Sequence, residues 1–265
     1  MSAPDEAAFT RLVDAEGGRL LAFARRFCGD GRDAEDLVQE TFARAFRNWS
    51  QLEDPEKARA WLYSIARRAC QRMHRPRAGQ PARLEPLSEL EPRPGPTVPE
   101  LPSAAGDPHA ERLRREAREI VESALAELPD PFRQTLVLAD LAELGTGEVA
   151  AVMGVKEATV KTRLHRARLK LRDVLARRLP QRPAPAPTHA RRVCLDLLHA
   201  KLEALDRGVP FSYSDAALCE RCSSLLGTLD LARDGCRALA VERLDPALRR
   251  RILDQADRPR RGRST

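Results

Sequence analysis

The chain has 265 residues, enough for two or three small domains, each with a modest core. Aromatics make up 4% of it while Ala, Leu and Arg abound, a balance that favours helices over sheets and predicts an all-α fold. The net charge of +7 suits a polyanionic partner, and no run approaches the roughly 18 apolar residues of a membrane helix, which excludes a membrane-embedded chain.

The opening Met1-Ser-Ala-Pro-Asp-Glu6 lacks the basic-then-apolar run of a signal peptide, so a cytoplasmic location is expected. In that compartment clustered cysteines point to metal or redox chemistry, and the sequon Asn48-Trp49-Ser50 is irrelevant. Proline divides the chain. Nine of the 20 prolines fall between Pro76 and Pro108, and Pro180-Gln-Arg-Pro-Ala-Pro-Ala-Pro187 makes a second break. The expected organisation is a helical unit at 1–75, a flexible Pro-rich linker at 76–108, and a second unit at 109–179. A short linker at 180–188, a cysteine-containing unit at 189–257 and a basic disordered tail at 258–265 complete it.

The first unit reads as three helices. Phe9, Leu12, Val13, Leu20, Leu21, Phe23, Ala24 and Phe27 recur at helical spacing, and Gly29-Asp30-Gly31 ends that helix. Leu37, Val38, Phe42, Ala45, Phe46 and Trp49 turn inward on the second, leaving Asp36, Gln39 and Glu40 outward, with Asp33 as its cap. After Glu53-Asp54-Pro55 the third helix buries Ala58, Trp61, Leu62, Ile65 and Ala69 and shows Arg59, Arg67, Arg68 and Arg72 on its other face, with Tyr63 near it. Cys28 and Cys70 sit among apolar helix positions and read as small core residues.

The second unit holds two amphipathic helices, around Ile120 to Leu128 and Phe132 to Leu141. Then comes the most informative run, from Leu144-Gly-Thr-Gly-Glu-Val-Ala-Ala-Val-Met-Gly154 to Arg168. A short helix through Val149 to Met153 stops at Gly154, and a long one succeeds it with Val160, Leu164, Ala167 and Leu171 inward. That is a helix-turn-helix pattern, whose second helix enters a DNA major groove. From Lys156 to Arg178 there are nine Lys or Arg against two acidic residues, a surplus equal to the whole chain's +7. The remainder is neutral, so basicity sits where a groove-reading helix needs it. Gly145-Thr-Gly147-Glu-Val-Ala150 formally matches a dinucleotide fingerprint, but no strand precedes it. His74, His109 and His165 stand in no catalytic constellation, and no nucleophile motif or phosphate loop is present, so the chain is not expected to be an enzyme.

The third unit carries Cys194, Cys219, Cys222 and Cys236. The pair Cys219-Glu-Arg-Cys222 has the C-x-x-C spacing that lets two thiolates share one tetrahedral ion, and the flanking cysteines offer a four-thiolate set. A thioredoxin-like redox pair and plain buried thiols are the alternatives. His199 and His189 are auxiliary ligand candidates. Thiolates select soft ions such as Zn, Cd or Cu.

Two blocks carry a resemblance to a known family. Asp33-Ala-Glu-Asp-Leu-Val-Gln-Glu-Thr-Phe42 and Arg59-Ala-Trp-Leu-Tyr-Ser-Ile-Ala-Arg67 resemble region 2 of extracytoplasmic-function (ECF) sigma factors. Leu125-Ala-Glu-Leu-Pro129 and Ala158-Thr-Val-Lys-Thr-Arg-Leu-His-Arg-Ala-Arg168 resemble region 4 of the same family. Gly147 replaces the family's usual aromatic before the helix-turn-helix, and Cys70 a commoner polar residue.

The resemblance implies promoter-directed initiation with core RNA polymerase, through its β′ and β subunits, without a cofactor. It places Asp33, Asp36, Gln39 and Glu40 on the polymerase, and Arg59, Trp61, Arg67, Arg68 and Arg72 on the −10 region. It places Lys161, Thr162, Arg163, His165 and Arg166 on the −35 element. The cysteine segment is similar to the zinc-binding anti-sigma domain, with Asp215 at the place of that family's His. It is closer still to CorE-type sigma factors, in which such a domain senses a metal and a separate anti-sigma factor is not required. An ordinary helix-turn-helix regulator that never joins polymerase, and a metal-handling protein with incidental basic helices, are the competing readings.

Overall fold

Apolar residues at helical spacing build the fold that the sequence predicts. A computed structural model describes residues 6–28, 32–52, 54–73, 90–92, 95–102, 107–211, 213, 218–240 and 242–257. The turn at Gly29–Gly31, Glu53, His74, linker residues 76–89 and 103–106, Asp215 and the tail 258–265 lie outside the described residues. The chain divides into two units, one of residues 1–77 with 151–153 and 240–265, the other of residues 78–150 with 154–239.

The first unit packs α1 (Glu6–Cys28), α2 (Arg32–Arg47) and α3 (Ala58–Met73) around Leu20, Phe23, Leu37, Phe42 and Leu62. Phe9 is the hub of one end, meeting Phe42, Phe46 and Trp49 edge-on at 6.1, 5.0 and 5.7 Å. Tyr63 belongs to the core and not to the basic face. It is 0% exposed and stands edge-on to Phe23 at 5.2 Å. Cys70 is likewise buried, the small core residue expected, and it is disulfide-bonded. The Cys28 side chain lies outside the described residues.

The C-terminal helix α10 (Pro246–Asp257) also belongs to this unit, which its sequence position did not suggest. It buries Leu248 and Ile252 against α1 and α2. Its exposed side donates two hydrogen bonds from Arg249 to Asp14, at 2.6 and 2.9 Å, and one from Arg251 to Glu35 at 2.8 Å.

The second unit begins with the expected helices, α4 (Pro108–Glu127) capped by the Asp107 side chain, and α5 (Asp130–Leu136). A π-helical turn, Val137–Leu141, extends α5. Next come α6 (Thr146–Met153) and the long α7 (Glu157–Arg178). α8 (Arg191–Arg207) and α9 (Glu220–Ala238) complete the series. Among the described residues the fold is all-α but for one small antiparallel ribbon. There β1 (Thr97–Pro99) pairs with β2 (Gln181–Pro183), with Val98 opposite Arg182. These six residues fall in the two stretches read as linkers. Their prolines sit at strand ends in a two-stranded ribbon, where a missing N–H is tolerated. The tether reading therefore does not extend to residues 97–99 and 181–183.

Nor do residues 189–257 make a third domain. α9 packs along α4 and α7, and Gly235 lies so close to Val121 that an added Cβ would come within 2.8 Å of it. One apolar seam joins Leu169 of α7, Leu198, Leu202 and Leu205 of α8, and Leu226 and Leu229 of α9. α8 and α9 share this seam with α7, so both belong to the second unit.

Candidate nucleic-acid interface and thiol site

On α2, Asp33 and Asp36 are exposed while Gln39 and Glu40 are half-buried. Asp36, Gln39 and Glu40 stand at i, i+3 and i+4 and share a face. Glu40 pairs with Arg44 and lies 3.8 Å from Arg47.

On α3, Arg68 and Arg72 are exposed and Arg67 is half-buried. Trp61 is half-buried and edge-on to Trp49 at 6.3 Å. Arg59 is committed internally, because its Nε donates to Oε1 of Glu16 at 3.0 Å and that carboxylate is only 5% exposed. Pulling Arg59 onto nucleic acid would strand a buried charge. Of the predicted −10 set, Arg68 and Arg72 are thus the cations most open to solvent.

The helix-turn-helix forms as its sequence predicts. Gly154 adopts φ +67°, the left-handed turn that glycine takes at least cost. Thr146 Oγ1 donates to Glu157 Oε1 at 2.8 Å, tying α6 to α7, and Lys161 Nζ lies 3.0 Å from the same carboxylate. The Thr146 hydrogen bond first, then Lys161, hold Glu157 below the usual carboxylate range. Lys161 and Thr162 are exposed, and Arg163 and Arg166 half-buried. Arg166 keeps Nε and Nη1 buried without a hydrogen-bond acceptor among the described residues. His165 does not stand open to a groove, because its Nε2 lies 2.9 Å from Oδ2 of Asp206 on α8.

Asp206 belongs to a charged cluster that sequence reasoning missed. Arg168 donates twice to Asp140, at 3.1 and 2.8 Å, and once to Asp206, at 2.5 Å. All three side chains are at most 5% exposed. Burial disfavours the Arg168 charge, but the two carboxylates outweigh it and raise the guanidinium pKa. The available signal was Asp140 inside the apolar run Val137 to Leu141, which obliges a buried cation nearby.

At the other end of α8 three thiols converge. The ligand atoms of Cys194, Cys219 and Cys222 all lie within 4.8 Å of one another, and Cys222 Sγ is 3.2 Å from Cys194 Sγ. Cys219 caps α9, its sulfur accepting the Cys222 N–H at 3.4 Å. Burial would raise the Cys219 thiol, yet hydrogen bonds from Cys222 and Thr188 bring it below its ordinary value. Burial first, then the two neighbouring sulfurs, push Cys222 up. Four zinc ligands at about 2.3 Å place sulfurs roughly 3.8 Å apart, so this cluster fits a thiophilic ion with little movement. Cys194, Cys219 and Cys222 would hold it.

Cys236 is not part of this cluster. It lies 14 residues beyond Cys222 on the same unbroken helix, about 21 Å along the axis, and is buried. His199 is half exposed and 3.8 Å from Glu91, and His189 is exposed.

Two segments of the chain match known protein families. Residues 12–79 match the model for sigma-70 region 2, and residues 118–171 match that for sigma-70 region 4. The SigL ECF sigma factor of Mycobacterium tuberculosis is 31% identical over 66% of this chain and 93% of its own length. The chain belongs to the ECF RNA polymerase sigma factors. Members of this family direct transcription initiation with RNA polymerase. SigW of Bacillus subtilis is 30% identical over 64% of the chain and 90% of its own length. SigE of Mycolicibacterium smegmatis is 38% identical over 63% of the chain, which spans 61% of that relative. Among solved structures, CnrH in complex with the cytosolic domain of CnrY is 28% identical over 64% of this chain and 89% of its own, with a TM-score of 0.42. Both matched segments end before residue 172, so the thiol site stands outside them. No described helix is long and apolar enough to cross a membrane.

Proposed function

We propose that this ECF sigma factor binds core RNA polymerase, directs promoter-specific initiation in the cytoplasm, and is controlled by a soft metal ion held by Cys194, Cys219 and Cys222. Docking on the polymerase uses the α2 face of Asp33, Asp36, Gln39 and Glu40. The −10 region meets Arg68 and Arg72 with Trp61, Arg59 and Arg67 behind them, since phosphate charge and unstacked bases attract guanidinium and aromatic groups. The −35 element meets Lys161, Thr162, Arg163 and Arg166 of α7, where arginine can pair bidentately with guanine edges.

The observation that carries the metal half is the convergence of three cysteine sulfurs from two helices outside the family-matched segments. A single C-x-x-C pair is common, but a third thiol brought in from α8 is what a metal site requires. The domain then works in the manner of CorE-type sigma factors, and the metal response needs no second protein. The test is transcription in vitro with only core enzyme, template and this chain, across zinc, cadmium and copper titrations. Output should respond to at least one ion in the wild type and to none in the Cys219→Ala, Cys222→Ala double variant. Flat wild-type output, or an identical response from the double variant, removes the metal control and leaves the thiols structural.

A further inference from the structure

We propose that α8 is a two-ended lever, with the thiol site at one end and, at the other, Asp206 competing with promoter DNA for α7. Its coupling half rests on the metal reading above, and its clamp half on geometry alone. Cys194 and Asp206 are twelve residues apart on α8, so about 18 Å of continuous helix joins the two ends.

The Asp206 end grips the helix expected to read DNA. His165, Arg168, Leu169 and Arg172 stand at i, i+3, i+4 and i+7 on α7 and form one face. Asp206 takes His165 at 2.9 Å and Arg168 at 2.5 Å, while Leu169 is drawn into the seam with Leu198, Leu202 and Leu205. A carboxylate beside the His165 imidazole offers it what a phosphate oxygen would, while Arg168 stays buried with Asp140. The clamp does not satisfy the helix completely, because Arg166 retains two buried donors without an acceptor among the described residues.

The two ends share packing. Phe211 and Leu218 lie against both the leucine seam and the cluster of Leu197, Cys219 and Cys222. The arrangement in which Asp206 grips α7 is also the one in which three sulfurs converge. An ion binding those sulfurs favours the state that holds them together, so metal loading tightens the clamp and weakens DNA binding.

The experiment uses the full chain, cadmium as the ion, and a short labelled mixed-sequence duplex monitored by fluorescence anisotropy. Cadmium uptake is read separately from the thiolate-to-cadmium ultraviolet absorption. Asp206→Asn, which keeps the shape and removes the charge, should bind duplex about tenfold tighter than wild type. Cadmium should weaken wild-type duplex binding by about fivefold or more and leave Asp206→Asn within about twofold, with equal uptake in both. Glu203→Gln, which removes an exposed charge from the same helix, should behave as wild type. Should Asp206→Asn not melt cooperatively, Asp206→Glu takes its place, with a tighter-than-wild-type duplex affinity expected from its displaced carboxylate. Wild-type duplex affinity in the substituted chain overturns the clamp. Tighter binding that cadmium still weakens equally in both chains overturns the lever. A wild type that takes up no cadmium overturns the metal reading and the lever with it, while the clamp stands or falls on the duplex affinity of Asp206→Asn.

Discussion

Gly18 of α1 lies so close to the backbone of Glu242 that a Cβ built on it would fall 1.8 Å from the Glu242 carbonyl oxygen. Gly17 beside it leaves just enough room for Leu244, whose side chain would be 3.0 Å from an added Cβ. The Glu242 carboxylate accepts from Arg25 at 2.8 Å and from Arg26 at 3.2 Å. Two glycines in the middle of a long helix cost helix propensity, and here they make the seat for the segment that leads into α10.

Gly18→Ala should therefore release that segment. In an open helix the substitution would gain up to about 1 kcal/mol, but a clash with backbone forces movement that costs about 1–3 kcal/mol, and the clash wins. Hydrogen exchange across residues 246–257 should accelerate while α2 and α3 stay protected. Unchanged or slower exchange would show that the segment is not seated on Gly18.

The Asp14–Arg249 pair should make α10 sensitive to acid. The hydrogen bond from Arg249 holds the Asp14 carboxyl below the usual carboxylate range against the opposing effect of burial, with the Arg249 charge adding to it. A depressed folded pKa contributes stability that is fully present above the unfolded value, about 3.9, and is lost as pH falls through the folded one. Protection of residues 246–257 should fall below about pH 4 in the wild type, and the part due to Asp14 should be missing from Asp14→Asn at every pH. Superimposable pH curves for the two chains would dismiss the pair.

Arg168 should be among the costliest positions in the chain. Arg168→Met leaves Asp140 and Asp206 buried without the guanidinium that bridges them, a loss of about 3–5 kcal/mol. Arg168→Lys keeps the charge but not the fork that serves two carboxylates, and should fall between. Both tryptophans, Trp49 and Trp61, lie in the first unit, so far-ultraviolet circular dichroism should show the loss while tryptophan fluorescence changes little. A loss under about 1 kcal/mol would contradict the network.

Much of this fold is legible because helical spacing is local. Phe9 to Phe27, Leu37 to Trp49 and Val160 to Leu171 announce their helices, and Gly154 announces its turn. Partnership between helices is less local. Residues 189–257 read as a separate cysteine-containing unit, yet Leu198, Leu202, Leu205, Leu226 and Leu229 share one seam with Leu169 of α7. Tyr63 lies two residues beyond a tryptophan and one helical turn from Arg59 and Arg67, yet it packs edge-on against Phe23 in the core. Asp206 looks like any helix-end carboxylate until α7 is brought against it.

Cys236 shows an inference that spacing did permit. Four cysteines invited a four-thiolate site, although a helix running unbroken from Cys222 to Cys236 carries the two apart. Cys236→Ala should leave cadmium uptake and its ultraviolet band unchanged, at a stability cost of about 1 kcal/mol. Cys194→Ala should reduce the band by roughly a third and weaken affinity, because one of three thiolates is gone. Equal effects from the two substitutions would return Cys236 to the ligand set.

The docking face of α2 yields the last test. Asp36 is exposed and Gln39 half-buried, so Asp36→Ala with Gln39→Ala should move stability by less than about 0.5 kcal/mol per site. α10 engages Glu35, which shares the Gln39 side of the helix one turn away, and Asp36 stands round the helix from it. A loss of affinity could thus come from polymerase contacts or from a shifted α10, and exchange across residues 246–257 separates the two. We expect the double variant to bind core polymerase at least about tenfold more weakly in a pull-down titration, with α10 protection unchanged. Removing these side chains from a true interface discards polar contacts without opening a core. Wild-type polymerase affinity in the double variant would move the docking surface off this face of α2, whatever α10 does.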